Sequence, residues 1–194
     1  MKQKLLTPTV IYLLKFVGIF CLLYYGTIAM IGIAAPGNLY SPFVEKYLDY
    51  VKWIKFSLMG GTAFILSVFG ISTYKVPDFI IRIAEGRGVF IAMDCVGYGV
   101  YSFWIAFVAA NTGKFWRKFT WIVLGVLALW LINVIRITLF LLAINKGWPM
   151  PLGWDHHTWF NIFAYLLIFI MIWWYDKTGK KPLQQLKPET QNDN

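Results

Sequence analysis

The chain has 194 residues, 59% of them hydrophobic and 19% aromatic, with a formal net charge of +9. A soluble domain is nearer half apolar, and here the excess comes in long runs, which argues for membrane spans rather than one oversized soluble core. The basic residues stand mostly between and after those runs, where they orient a membrane protein and meet anionic lipid; no basic face with interleaved stacking aromatics points to nucleic acid.

Lys2 and Lys4 precede the first apolar run, which has no small-residue cleavage site and reads as a retained span rather than a removed signal peptide. That span covers residues 10–33. Lys15 lies near its start, able to snorkel, and Ala35-Pro36-Gly37-Asn38 ends it. Residues 42–55 interleave Glu45, Lys46, Asp49, Lys52 and Lys55 with Phe43, Tyr47, Tyr50 and Trp53, the pattern of an amphipathic helix lying along the interface. A second span is expected over residues 53–74. Gly60 and Gly61 within it permit close helix approach or reflect the ordinary tolerance of glycine in membrane helices.

Residues 75–94 are more polar and include Pro77, Asp78, Arg82, Glu85, Gly86, Arg87 and Gly88. Short apolar runs at 80–83 and 89–92 flank a glycine turn, which fits either a hairpin or an irregular approach to the next helix. The third span is expected over residues 95–110, ended by Asn111-Thr112-Gly113-Lys114. The fourth covers 119–144, a loop with Pro149 and Pro151 follows, and the fifth covers 157–175. The tail from Lys177 is polar and reads as disordered. The expectation is an all-α polytopic bundle of about five transmembrane helices plus an interfacial amphipathic helix. One domain occupies residues 1–176, and a cytoplasmic tail 177–194.

Five spans place the termini on opposite sides. With the 111–118 connection and the tail in the cytoplasm, ten basic residues fall inside, Lys46, Lys52 and Lys55 among them, and six fall outside. The excess of positive charge in cytoplasmic loops favours this assignment, although Lys2 and Lys4 argue for an N-terminus inside. The orientation brings Cys95, the C-terminal part of the fourth span and His156/His157 to one outer face, and that conclusion needs only the last three spans.

Arg136 is the most informative residue, since it lies within the apolar run 127–142. It stands eight residues before Ile144, about 12 Å inside that end of the span at ~1.5 Å per residue. A charge at such depth costs roughly 2.5–3.5 kcal/mol and must find partners, a wet cavity, or the interface by snorkelling. Asn133 shares its face one turn earlier. Cys95 opens a span and is followed by Gly97 and Gly99, which would leave room for a substrate backbone; a helix N-terminus there would favour thiolate. The charge of Asp94 works against this unless its side chain caps the helix. Cys21 has none of these features and reads as packing.

His156 and His157 are the only histidines, between Asp155 and an apolar run. One reading is an Asp-capped helix start with interfacial histidines. The other is a neutral imidazole that takes a thiol proton and returns it to a leaving amine. Cys, Arg and His are together the parts of a thiol nucleophile, an electrostatic stabiliser and a general base. No metal site and no cofactor is assigned, because a closed zinc site wants four ligands. The rival to an enzyme is a non-enzymatic transporter subunit or assembly scaffold in which Arg136 binds an anion or pairs within the bundle.

Cys95-Val96-Gly97 at a helix start, Asn133-Val134-Ile135-Arg136 in a later span and His156-His157 opening the next resemble the exosortase/archaeosortase family of integral membrane cysteine transpeptidase-like proteins. The resemblance covers about residues 85–175. It departs from the family at Val96 and at Asn161, where many relatives carry glycine four residues after the histidine, and the chain is a short member. The resemblance implies Cys95, Arg136 and His157 as catalytic residues, with Asn133 and His156 in support. Arg82 and Arg87, in the preceding outer segment, read either as helping to bind substrate or as ordinary surface charge. It implies cleavage of C-terminal sorting signals (a short motif, a transmembrane helix and a basic cluster) on exported proteins, at the outer face of the cytoplasmic membrane. It also implies transfer onto an acceptor and a link to exopolysaccharide or envelope biogenesis. The expected partners are such substrates and membrane lipid, with no nucleic acid and the oligomeric state open.

Overall fold

The computed structural model of the protein describes residues 7–37, 39–148, 153 and 156–179, with all their side chains except those of Asp94, His156, His157 and Phe160. Helix α1 spans Pro8–Ala34, with proline in its first turn and the Thr7 hydroxyl accepting from the Val10 N–H. Helix α2 spans Tyr50–Val68 and is capped by the Asp49 carboxylate, which accepts from the Lys52 N–H at 2.9 Å. Strands β1 (Thr73–Val76), β2 (Ile80–Ile83) and β3 (Gly88–Phe90) form an antiparallel meander. Helices α3 (Tyr98–Ala110), α4 (Phe115–Lys146) and α5 (His156–Gly179) follow. Four helical stretches are long and apolar enough to cross a membrane: Pro8–Ala34, Tyr50–Val68, Phe115–Lys146 and Asn161–Gly179; Tyr98–Ala110 is shorter. The architecture is therefore the expected helical polytopic one, with a small sheet added. Residues 80–90 resolve the open alternative in favour of a hairpin, which β1 extends to three strands.

Side-chain contacts fix the directions of the helices. Phe16 and Tyr24 of α1 meet Phe103 and Tyr98 of α3, each pair with ring centroids 5.4 Å apart, so α1 and α3 are antiparallel. The buried Trp104 indole of α3 donates to the Trp121 carbonyl of α4 at 3.1 Å, and Arg117 of α4 donates to the Tyr175 carbonyl of α5 at 2.5 Å. Consequently α1 and α4 run one way, and α3 and α5 the other. The Pro8 end of α1, the turn after Ala110 and the Gly179 end of α5 share one end of the bundle. Arg117 and Lys118 do more there than mark topology. Arg117 caps the last turn of α5, and Lys118 caps that of α3 through the Ala109 carbonyl at 3.0 Å. Both place a cation on a carbonyl of a helix's last turn, at the negative end of its dipole.

The first half of the chain departs from expectation. Residues 42–55 are not one amphipathic helix: a π-helical turn, Val44–Leu48, breaks at Asp49 before α2 begins. The Tyr50 hydroxyl bonds that of Thr27, two turns before the end of α1, so this connection stays at the opposite end from Ala110. From there α2 advances alongside α4. Ser57 accepts from the Trp130 indole at 3.0 Å, and Gly61 lies against Trp130 and Val134. A Cβ on Gly61 would stand 2.9 Å from both side chains, so close approach is the reason for this glycine. The helix ends at Val68 and residues 73–76 are strand, which replaces the expected span over 53–74. The β1–β2 turn returns to α2, with the Phe79 ring 5.1 Å from that of Phe56. The β2–β3 turn reaches Asn145, whose side-chain amide pairs with the backbone N–H and carbonyl of Arg87 at 2.6 and 3.1 Å. The chain thus enters and leaves α2 without returning to the Asn111 end. Lys46, Lys52 and Lys55 belong to the Cys95 end rather than to the end holding Lys114 and Arg117, and the two ends of the described chain lie together.

This arrangement predicts reporter signals directly. Fusions at Gly113 and Gly153 should report opposite sides of the membrane, and an N-terminal fusion should match Gly113. An N-terminal signal matching Gly153 would restore the five-crossing topology and contradict the helix directions above.

Candidate active site

The peptide between the sheet and α3 carries the cysteine. Cys95 sits in a single 3-10 turn, Asp94–Val96, rather than at the head of the helix. Gly97 follows with φ 75° and ψ 27°, a left-handed conformation that glycine adopts without a Cβ penalty, and it caps α3 at Tyr98. The Cys95 N–H donates to the Ala92 carbonyl at 3.2 Å and is not among the free donors of α3. This sulfur therefore does not sit at a helix N-terminus, and the cation that reaches the turn is the Arg136 side chain. Gly99 does not open onto empty space either, because the Tyr24 ring stands 3.4 Å from where its Cβ would be.

Cys95 is a free thiol, 6% exposed, in a cluster with Leu58 and Met59 of α2, Val89 of β3 and Val134 and Ile137 of α4. Helix α4 holds the turn by its backbone. Asn133, 1% exposed, donates to the Cys95 carbonyl at 2.8 Å and to the Val96 carbonyl at 3.2 Å. One turn later the Arg136 guanidinium donates to the same Cys95 carbonyl at 3.2 Å. These carbonyls end a short turn and have no successor in a helix, so the amide and guanidinium supply the donors they lack. Arg136 is half-buried and reaches toward the cysteine turn, not along α4 to the interface; α4 continues to Lys146, beyond the expected end of that span. Leaving such a buried carbonyl without a donor costs about 1–3 kcal/mol. Asn133 is therefore a structural clamp as well as a candidate site residue. Its own Oδ1 and the Tyr101 hydroxyl are buried close to one another.

His156 and His157 form the first turn of α5, but their side chains, like all of Asp155, lie outside the described residues. Only the backbone locates them. Tyr175 packs on Arg117 and Trp121 of α4. Eighteen or so residues of equal rise along two antiparallel helices, about 27 Å, bring the start of α5 level with Arg136. Asn161, one turn after His157 and a departure from the family pattern, is exposed. Arg82 and Arg87 are exposed and tied to the β2–β3 turn: Arg82 donates to the Gly86 carbonyl at 2.7 Å, and Arg87 pairs with Asn145 through its backbone. Asn145 stands twelve residues beyond Asn133, about 18 Å of helix. The structure thus gathers Cys95, Asn133 and Arg136, and leaves the two exposed arginines at the far tip of the sheet. Cys21 is a half-buried free thiol within α1. No group of three metal-ligating side chains occurs among the described residues.

Lys55 was not expected here. It is 3% exposed, on the α2 face that also buries Val51, Leu58, Met59, Thr62 and Leu66. Its Nζ lies 4.7 Å from the Phe79 ring centroid and 5.8 Å from that of Phe90. The signal was present in the sequence as spacing: Lys55 falls four residues after Val51 and three before Leu58, on the apolar stripe and not opposite it.

A family model described as "Transmembrane exosortase" matches residues 7–174 of the chain. No curated protein and no solved structure matches it.

Proposed function

The chain belongs to the transmembrane exosortase family, and from that membership we propose that it is a membrane-embedded cysteine peptidase or transpeptidase cleaving C-terminal sorting signals of exported proteins. The observation that carries the reading is the convergence of Asn133 and Arg136 on the carbonyl of Cys95. A family thiol is held by its backbone, beside a guanidinium, at one end of the bundle. In this reading Cys95 attacks the scissile carbonyl of the sorting signal as a thiolate. Arg136 stabilises the developing oxyanion or binds substrate, and His157 takes the thiol proton and gives it to the leaving amine. The product is a thioester, released by water or by an acceptor amine. The site faces outward from the cytoplasmic membrane, with Gly113 and the C-terminus inside, and the activity serves exopolysaccharide or envelope biogenesis.

The test is co-expression with an exported reporter that ends in a short motif, an apolar helix and a basic cluster. Wild type is expected to shorten the reporter. Arg136→Lys is expected to lower that rate roughly 10- to 100-fold, because an ammonium cannot reproduce the planar fork of a guanidinium held against a carbonyl. Full activity with lysine would reduce Arg136 to a point charge and favour an anion-binding, non-enzymatic bundle.

A further inference from the structure

We propose that the free edge of β3 receives the extended motif of the sorting signal as an added parallel strand, which delivers the scissile peptide to Cys95. The inference rests on the reading of Cys95 as the peptidase nucleophile. The register decides which backbone groups of β3 are free. Val89 lies opposite Ile81, and the Ile91 N–H donates to the Phe79 carbonyl at 2.9 Å. In an antiparallel pair, alternate residues turn their N–H and C=O to the partner strand. Val89 and Ile91 therefore face β2, while Gly88 and Phe90 face away from it. No described residue bonds the backbone of Gly88 or Phe90 on that side, and both residues are exposed. The edge begins at Arg87, whose backbone Asn145 already holds. The opposite edge of the sheet is guarded: β1 packs on α2 and carries Lys75, the kind of charge that blunts an edge.

The same edge ends on the candidate nucleophile. Ala92, the next residue on the Phe90 side of the strand, accepts from the Cys95 N–H at 3.2 Å. A strand added beside Phe90 continues onto the cysteine turn, a step that two or three extended residues at ~3.3 Å each cover. Direction follows from α4. Asn145 holds the head of β3 and Asn133 holds the cysteine turn, about 18 Å back along the helix, so β3 runs from the end of α4 toward the middle of the bundle. A sorting signal whose motif precedes its apolar helix enters in the same sense, which makes the added strand parallel. Phe90 then donates its N–H to one motif carbonyl and accepts from the N–H two residues on. Main-chain bonds of this kind supply the affinity in strand addition. A second copy of this chain fits the edge poorly. Copies inserted the same way present β3 in one sense, whereas a two-fold edge pair needs the strands opposed.

The test is a photo-crosslink in full-length Cys95→Ala protein, co-expressed with the exported reporter. The photoreactive residue p-benzoyl-phenylalanine replaces Phe90, or Tyr74 of β1 as the reference. The expected adduct joins position 90 to the reporter's motif, ahead of its apolar helix, with none from position 74. No adduct, or equal adducts from both positions, overturns the inference. So does an adduct from position 90 only to the apolar helix, to residues 149–155 of this chain or to a second copy. In protein with Cys95 intact, Phe90→Ala and Phe90→Pro remove the same ring. The proline also removes the outward N–H, while the ladder to β2 stays whole. Phe90→Pro is expected to shorten the reporter about tenfold more slowly than Phe90→Ala at equal protein level, and equal rates overturn the inference. Should the proline variant fail to accumulate, the adduct decides. The adduct forms without processing, so its loss is separate from a failure of the peptidase reading, which would leave the adduct in place and the reporter uncut.

Discussion

Cys95→Ala and Cys95→Ser are expected to abolish reporter shortening, a loss of at least about 10³-fold, while the protein accumulates at the wild-type level. The size follows from chemistry: alanine has no nucleophile, and a serine hydroxyl has no anionic form near neutral pH to attack without a strong base. Normal accumulation follows from the structure. Asn133 and Arg136 hold the Cys95 carbonyl and not its sulfur. Every substitution keeps that carbonyl, so the clamp on the 3-10 turn survives, and the thiol surrenders only the burial of one small side chain. Asn133→Ala provides the contrast, because it removes the Val96 carbonyl's side-chain donor and leaves the Cys95 carbonyl to Arg136 alone, and should lower accumulation as well as activity. Immunoblots of enzyme and reporter from the same cells separate the two effects. Reporter shortening that persists in Cys95→Ala would end the peptidase reading.

His157→Ala is expected to reduce processing by about 10²–10⁴-fold with the protein still present, the range that a positioned acid–base group contributes. His156→Ala is expected to cost only a modest fraction. The two backbones share the first turn of α5, level with Arg136, so distance along the helix does not distinguish them. Direction does. Successive residues point about 100° apart around a helix axis, and only one ring can face a single partner. The family resemblance places His157 in that role and leaves His156, with Asp155, to the helix start. Equal processing in wild type and His157→Ala would transfer the proton step to His156 or take histidine out of the mechanism. A double substitution with no further loss beyond His157→Ala would confirm that one ring acts alone.

What the sequence determined by itself was what depends on local pattern. The long apolar runs became α1, α4 and α5 nearly where hydropathy drew them, because a helix in lipid satisfies its own backbone whatever lies beside it. Asn133 and Arg136 could be placed on one face from spacing alone, because three residues is close to one helical turn. An arginine within an apolar run needed a partner for the same reason of solvation, and the cysteine turn supplies one. Tertiary structure decided the rest. A nineteen-residue apolar helix such as α2 has the same hydropathy whether it crosses back or packs forward along α4. Its direction is set by the Thr27–Tyr50 hydrogen bond, by Trp130 against Ser57 and by the fit at Gly61, all contacts between residues far apart in the chain. That direction carries Lys55 from an assumed place among the cytoplasmic charges to the buried side of the cysteine turn. The position of Cys95 relative to α3 was equally beyond pattern. One left-handed glycine separates the thiol from the helix, and the charge that reaches the turn is the Arg136 guanidinium brought in by α4.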